Sequence, residues 1–71
     1  MKYKYTYNLR MSDGKIYQLW DEHDEYADEE RIFNGLAESG FMSGYAMCTR
    51  KRILVNMAHV MTLSVKIEEM P

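Results

Sequence analysis

The stretch MKYKYTYNLRM, residues 1–11, decides the fold because its side chains alternate strictly between apolar and polar types. Its odd positions carry methionine, tyrosine and leucine, whereas its even positions carry lysine, threonine, asparagine and arginine. Successive side chains of a β-strand point to opposite faces, so this pattern predicts a strand with one apolar and one polar face. Because eleven residues are many for one strand, we predict a central strand with neighbours on both sides.

Residues 12–14, Ser-Asp-Gly, predict a β-hairpin that joins this strand to the next one. The hairpin has either a two-residue loop or a three-residue loop with a G1 bulge. The two registers differ by one residue, which moves each side chain of the second strand to the other face of the sheet. The three-residue loop pairs Leu9 with Tyr17 and Tyr7 with Leu19, which places apolar side chains opposite one another. We therefore favour the three-residue loop.

The rest of the chain predicts one helix and further strands. Apolar residues at helical spacing predict the helix over residues 27–39, with Asp24 or Asp28 as the N-cap and Gly40 in the left-handed conformation at its end. Strands are predicted over residues 15–20, 44–49, 52–56 and 60–67, with Tyr17, Leu19, Tyr45, Met47, Ile53 and Val55 as inward side chains. The order ββαβββ predicts an α+β fold with a single, mainly antiparallel sheet and one helix on one face, as a single domain over residues 1–71.

The composition is that of a small globular protein, with 46% hydrophobic and 28% charged residues among 71. A lone cysteine allows no intrachain disulfide, no zinc-ligand spacing is present, and no apolar run reaches the length of a membrane span. Because the N-terminal residues alternate instead of forming an apolar run, a signal peptide is not predicted. We expect a cytoplasmic protein that uses no cofactor, metal or membrane, and so small a core leaves homodimerisation open.

Two stretches carry a resemblance to a known group of proteins. The residues NLRMSDGKIYQLW, positions 8–20, and VNMAHVMTLSVKIEE, positions 55–69, resemble small uncharacterised ββαββ proteins of Gram-positive phages and plasmids. The first stretch is also similar to the hairpin of phage-encoded uracil-DNA glycosylase inhibitors, which imitate DNA. The resemblance implies a phage- or plasmid-type accessory protein, and it assigns no functional residue.

The acidic run DEHDEYADEE, residues 21–30, is the main candidate for a binding segment. It lacks the spacing of a calcium loop, but its spaced carboxylates are compatible with imitation of DNA phosphates as well as with a solvated helix start. Our first hypothesis is a non-catalytic module that regulates or inhibits a host protein, including one that itself binds nucleic acid. Its predicted site consists of Trp20, Asp21, Glu22, Asp24, Glu25, Tyr26 and Glu29.

The second hypothesis is nucleic-acid binding. Basic residues in a predicted turn and on the polar face of the first strand could neutralise phosphates while a base stacks on Trp20. The predicted residues are Arg50, Lys51, Arg52, Lys2 and Lys4, although the net charge of the chain is −2. A structural homo-oligomer without another partner is the third hypothesis.

An enzymatic function is not predicted. Cys48 and His59 are the only combination that suggests a nucleophile and a base, and a cysteine in an apolar strand is typically an unreactive packing residue. No serine lies in a nucleophile-elbow sequence, and no glycine-rich loop precedes the helix.

Overall fold

The computed structural model describes residues 2–47 and 49–71 and shows one five-stranded antiparallel sheet with a single helix. The spatial order of the strands is β4-β3-β2-β1-β5. The predicted α+β fold is confirmed, and β1 lies between two neighbours as expected. The elements are β1 (Lys2–Met11), β2 (Ile16–His23), α1 (Glu29–Ser39), β3 (Phe41–Ala46), β4 (Arg52–Asn56), a 3-10 turn (Met57–His59) and β5 (Val60–Met70).

The first hairpin has the predicted register, with Tyr7 opposite Leu19 and Leu9 opposite Tyr17. The backbone N–H of Met11 donates to the carbonyl of Lys15 at 2.8 Å, which closes a three-residue loop. Gly14 has a φ of 89°, a left-handed conformation that favours glycine. The three-residue loop is therefore confirmed.

The second strand is longer than predicted, because it continues past Trp20 to His23. Strand β1 extends alongside it and offers backbone partners, so that Tyr5 lies opposite Asp21 and Tyr3 opposite His23. The start of the acidic run is therefore strand and not linker, since pairing with a neighbouring strand outweighs the low strand propensity of acidic residues.

Helix α1 begins at Glu29 and not at residue 27, because Asp28 is extended and acts as the N-cap. The Asp28 carboxylate accepts a hydrogen bond from the backbone N–H of Arg31 at 2.9 Å. At the other end Gly40 is left-handed with a φ of 77°, as predicted. No residue of the helix is fully buried, and its contact with the core is made by the half-buried side chains of Ile32 and Leu36.

Strand β3 begins at Phe41, directly after the helix, which corrects the predicted start at residue 44. The faces are also opposite to those predicted: Met42 pairs with Val55 on the core side together with Gly44, whereas Tyr45 pairs with Trp20 and Arg52 on the opposite side of the sheet. Met47, also predicted to point inward, lies in the turn and is exposed.

The last strand pairs with the first over its whole length, from Met70 opposite Lys2 to Val60 opposite Met11. It continues to Met70 and is therefore longer than predicted. A change of register near its start leaves Met61 67% exposed, although the simple alternation places it on the apolar face.

The core lies between the helix and strands β1 to β4. Its buried apolar side chains, among residues 2–47 and 49–71, are Tyr5, Tyr7, Leu9, Leu19, Met42 and Val55. Tyr17 lies on this face, as predicted, but its side chain is 40% exposed and so does not belong to the buried core. The helix packs against the β3 side of the sheet and leaves the apolar row of β5 half-buried.

Candidate binding face of the sheet

One row of side chains crosses all five strands on the sheet face opposite to the helix, a surface that we call the open face. The backbone register places Lys66 beside Thr6, Thr6 beside Trp20, Trp20 beside Tyr45, and Tyr45 beside Arg52. Side chains of directly paired residues project from the same face of a sheet. The row therefore has two aromatic rings near its centre and a cation at each end.

The rings of Trp20 and Tyr45 contact each other, with centroids 4.9 Å apart and planes inclined by 39°. Three cations lie over this pair within the range of cation–π attraction. Lys4 Nζ is 5.6 Å and Arg50 Cζ is 6.0 Å from the Trp20 ring centroid, and Arg52 Cζ is 5.2 Å from that of Tyr45. The pair and its cations form a compact aromatic and basic cluster, which we call the Trp20 cluster.

Two open grooves adjoin Trp20, and Arg50 lines both of them. The first has a volume of about 340 Å³ and is lined by Lys2, Trp20, Asp21, Glu22, His23, Asp24, Tyr45 and Arg50. The second has a volume of about 470 Å³ and is lined by Lys4, Trp20, Met47, Thr49 and Arg50. Planar groups of a ligand can thus reach the indole from two sides.

Charged residues divide between the two sides of the molecule. Seven of the nine basic residues lie on the open face or in the β3–β4 turn, namely Lys2, Lys4, Arg10, Arg50, Lys51, Arg52 and Lys66. On that face the acidic residues are Glu22 and Glu68, which lie on either side of Lys4, and Asp21 and Asp24 line the first groove beside Trp20. The other seven of the eleven acidic residues belong to the hairpin turn, the segment before the helix, the helix itself and the helix side of the sheet. The open face is therefore the electropositive side.

The structure brings most of the predicted basic residues together. Lys2 and Lys4 lie on the open face, while Arg50 and Arg52 contact the rings, and Lys51 is exposed in the turn. Three members of the row, Thr6, Tyr45 and Lys66, were not predicted. The missing signal for Tyr45 is the pairing of β3, because Tyr45 lies opposite Trp20 and Arg52 on the open face.

Asp21 belongs to the predicted protein-binding set, but its side chain is buried and already paired. Its Oδ2 lies 3.3 Å from His23 Nε2 and 3.6 Å from Arg52 Nη2, and its Oδ1 accepts from the backbone N–H of Glu22 at 2.9 Å. Burial, with a smaller contribution from this carboxylate, raises the pKa of Tyr7 to about 12. Asp21 therefore organises the strand end and offers little charge to a partner.

The other predicted protein-binding residues divide between the two sides of the sheet. Trp20 and Glu22 lie on the open face, whereas Asp24, Glu25, Tyr26 and Glu29 are exposed around the start of the helix. Tyr26 is 55% exposed, and its ring contacts the edge of Tyr3 at a centroid distance of 5.5 Å. These four residues form one surface, which we call the acidic helix start.

Cys48 lies outside the described residues, so the structure gives no geometry for the rejected pair of Cys48 and His59. Among residues 2–47 and 49–71, no three His, Cys, Asp or Glu side chains are grouped as metal ligands. Within the same part of the chain, no helix has the length and apolar character needed to cross a membrane.

Comparison with known proteins finds no matching family model, no matching curated protein and no matching solved structure. The resemblance to phage and plasmid proteins stays a prediction. The function is therefore inferred from the arrangement of the side chains.

Proposed function

We propose that this protein is a small, non-catalytic module that binds single-stranded nucleic acid on the open face. The observation that supports this proposal best is the Trp20 cluster, in which two adjoining rings are flanked by the cations of Lys4, Arg50 and Arg52. Unpaired bases stack on aromatic side chains exposed on a sheet, and cations beside the rings neutralise the phosphates that connect those bases.

The energies favour an exchange of a cation for a base over Trp20. A cation–π contact at an exposed site contributes about 0.5–1 kcal/mol, whereas a base stacked on an aromatic ring contributes about 1–3 kcal/mol. A base entering the second groove, which has no acidic residue in its lining, would replace Lys4 or Arg50 over the indole. The displaced side chain is long enough to follow the phosphate, so its charge would still contribute to binding.

The two-sided distribution of charge supports the same face. A polyanion is attracted to the open face and repelled by the acidic helix side, although the net charge of the chain is −2. Duplex DNA hides its bases within the stack, so a ligand that uses ring stacking must be single-stranded.

Binding can be measured by the fluorescence anisotropy of labelled 12-nucleotide single strands and of the matching duplex. Trp20 is the only tryptophan of the chain, so quenching of its emission reports ligand contact at the proposed site. The informative variant is K4Q/R50Q, which removes both cations over Trp20. Its matched control is K15Q/R31Q, which removes the same charge from the hairpin turn and the helix.

We expect single strands to bind more tightly than the duplex, with an affinity that falls as salt rises. The K4Q/R50Q variant should weaken binding at least five-fold and lower the slope of log affinity against log salt by about 0.7 for each lost phosphate contact. The K15Q/R31Q variant should change the affinity less than two-fold. Equal weakening by both variants, or no binding at 50 mM salt, would overturn the proposal.

A second candidate function follows from the acidic helix start. Exposed Tyr26 lies in the sequence among the exposed acidic residues Asp24, Glu25 and Glu29, and tyrosine is enriched at protein interfaces. This surface supports binding to a basic host protein, with the carboxylates imitating the phosphates of a nucleic acid, as in a phage- or plasmid-type inhibitor.

Affinity capture from a bacterial lysate, with and without nuclease, separates the two candidates. A discrete protein that survives nuclease and is lost with the D24K/E25K/E29K variant supports the inhibitor function. Nucleic acid that is retained by this variant and lost with K4Q/R50Q supports the open-face function.

A further inference from the structure

We propose that β5 is a dimerisation edge, which pairs antiparallel with β5 of a second copy of this chain about a two-fold axis at Val65. The two sheets would join into one continuous sheet. The inference does not depend on the nucleic-acid proposal, because it rests on the backbone and side chains of β5 alone.

Strand β5 forms one outer edge of the sheet and is paired only with β1. It contains 11 residues, whereas β4 at the opposite edge contains 5. A strand of this length presents backbone donors and acceptors along about 36 Å of unpaired edge. Natural proteins usually shorten, bend or cover such an edge, and the bulge near Met61 bends only its first residues.

The apolar surface beside this edge is incompletely covered. Leu63, Val65 and Ile67 contact the core but are only half-buried, because the helix packs on the β3 side of the sheet. The chain exposes 5146 Å², whereas a compact monomer of 8.5 kDa is expected to expose about 4,700 Å². The excess of about 450 Å² is close to the share of one subunit in an interface of about 1,000 Å², the lower limit for a biological interface.

The apolar row is complementary to itself in the proposed register. With Val65 opposite Val65 of the partner subunit, Leu63 lies opposite Ile67 of the partner subunit, so the two rows become one. All residues of β5 then find a pairing position on the other copy. A two-fold axis repeats each contact, as an isologous interface requires.

The polar row of β5 brings no like charges together in this register. Lys66 lies opposite Ser64 of the partner subunit, and Glu68 lies opposite Thr62 of the partner subunit. Because Ser64 is exposed and Lys66 is charged, this pair provides a position at which charge can be changed without disturbing the core.

Sedimentation equilibrium of the full chain between 1 and 200 µM measures the dimer. We expect the mass to rise from 8.5 kDa towards twice that value. The S64K variant places two lysines opposite each other at both symmetric contacts, whereas S64E creates an ion pair at both. Cross-strand charge pairs contribute about 0.2–1 kcal/mol each, so S64K should raise the dissociation constant about 2- to 30-fold and S64E should lower it.

Two further variants make this test specific. The S64K/K66E variant restores opposite charges across the edge and should recover most of the dimer that S64K loses. The control is Q18K, which adds the same charge on the open face two strands from the edge and should leave dimerisation unchanged. A monomer at 200 µM, or a shift in the same direction for S64K and S64E, would refute pairing through β5.

Discussion

The phenolic oxygen of Tyr5 lies 2.8 Å from the backbone carbonyl oxygen of Glu25 and donates to it. The same oxygen accepts from the backbone N–H of Ala27 at 3.0 Å. One side chain of the central strand thus holds the irregular segment that precedes the helix. Since few contacts hold the helix to the sheet, this tyrosine has a large share in positioning the acidic helix start.

Replacing Tyr5 by phenylalanine should lower the free energy of unfolding by about 1–3 kcal/mol, because a backbone donor and a backbone acceptor then lose their shared partner. Urea unfolding followed by circular dichroism measures the change. Tyr7→Phe is the matched control, since it removes the hydroxyl of a neighbouring buried tyrosine on the same face. Equal losses in the two variants would show that the bridge to Glu25 and Ala27 contributes no special stability.

The raised pKa of Tyr7 predicts a loss of stability at alkaline pH. Burial and the Asp21 carboxylate raise this pKa from 10.0 to about 12, so the folded state keeps a proton that the unfolded state has lost. The contribution of protonated Tyr7 to the free energy of unfolding is fully present below pH 10. Between pH 10 and 12 it falls by about 1.4 kcal/mol per pH unit. The free energy of unfolding of Tyr7→Phe, measured over this range, should fall less steeply than that of the wild type. If the free energies of unfolding of the wild type and of Tyr7→Phe fall in parallel, the loss of stability does not come from the raised pKa of Tyr7.

Loss of the helix N-cap should weaken the helix that carries the acidic surface. Asp28→Ala removes the acceptor for the Arg31 N–H and should cost about 0.5–2 kcal/mol. Asp24→Ala removes the same charge outside the helix and serves as the control. Thermal unfolding followed by circular dichroism gives the melting temperature of both variants. A similar decrease for both would show that the lost negative charge, and not the lost cap, destabilises the helix.

Two glycines should respond in opposite directions to substitution by alanine. A Cβ at Gly44 would lie 3.1 Å from the Trp20 carbonyl oxygen and 3.2 Å from Leu19 Cβ, whereas at Gly35 it would meet nothing within 4 Å. Gly44→Ala should therefore destabilise by about 1–3 kcal/mol, because the backbone of β2 must move. Gly35→Ala lies in the helix and should stabilise by about 0.5–1 kcal/mol. A stabilising Gly44→Ala would show that β2 and β3 do not pack as closely as described.

Local patterns predicted the element order, the central strand, the hairpin register and the helix, with Asp28 as one of two candidate caps. Each of these depends on neighbouring residues: alternation within residues 1–11, the turn at Gly14, the cap at Asp28 and the left-handed Gly40. The errors occur where a distant strand decides the outcome. β2 continues into the acidic run because β1 extends beside it, and Tyr45 points away from the core because β3 pairs with β2 and β4 in a register that places Tyr45 beside Trp20 and Arg52.

The sequence by itself determined the two faces of the first strand and the excess of acidic residues between positions 21 and 38, because both are properties of order along the chain. Only the tertiary structure decided which charges become neighbours. It placed the buried Asp21 beside Arg52, which is distant in the sequence, and it joined Trp20 with Tyr45, Arg50 and Lys66 on one face. The physical reason is strand pairing, which brings residues of separate segments within a few ångströms and cannot be read from their spacing in the chain.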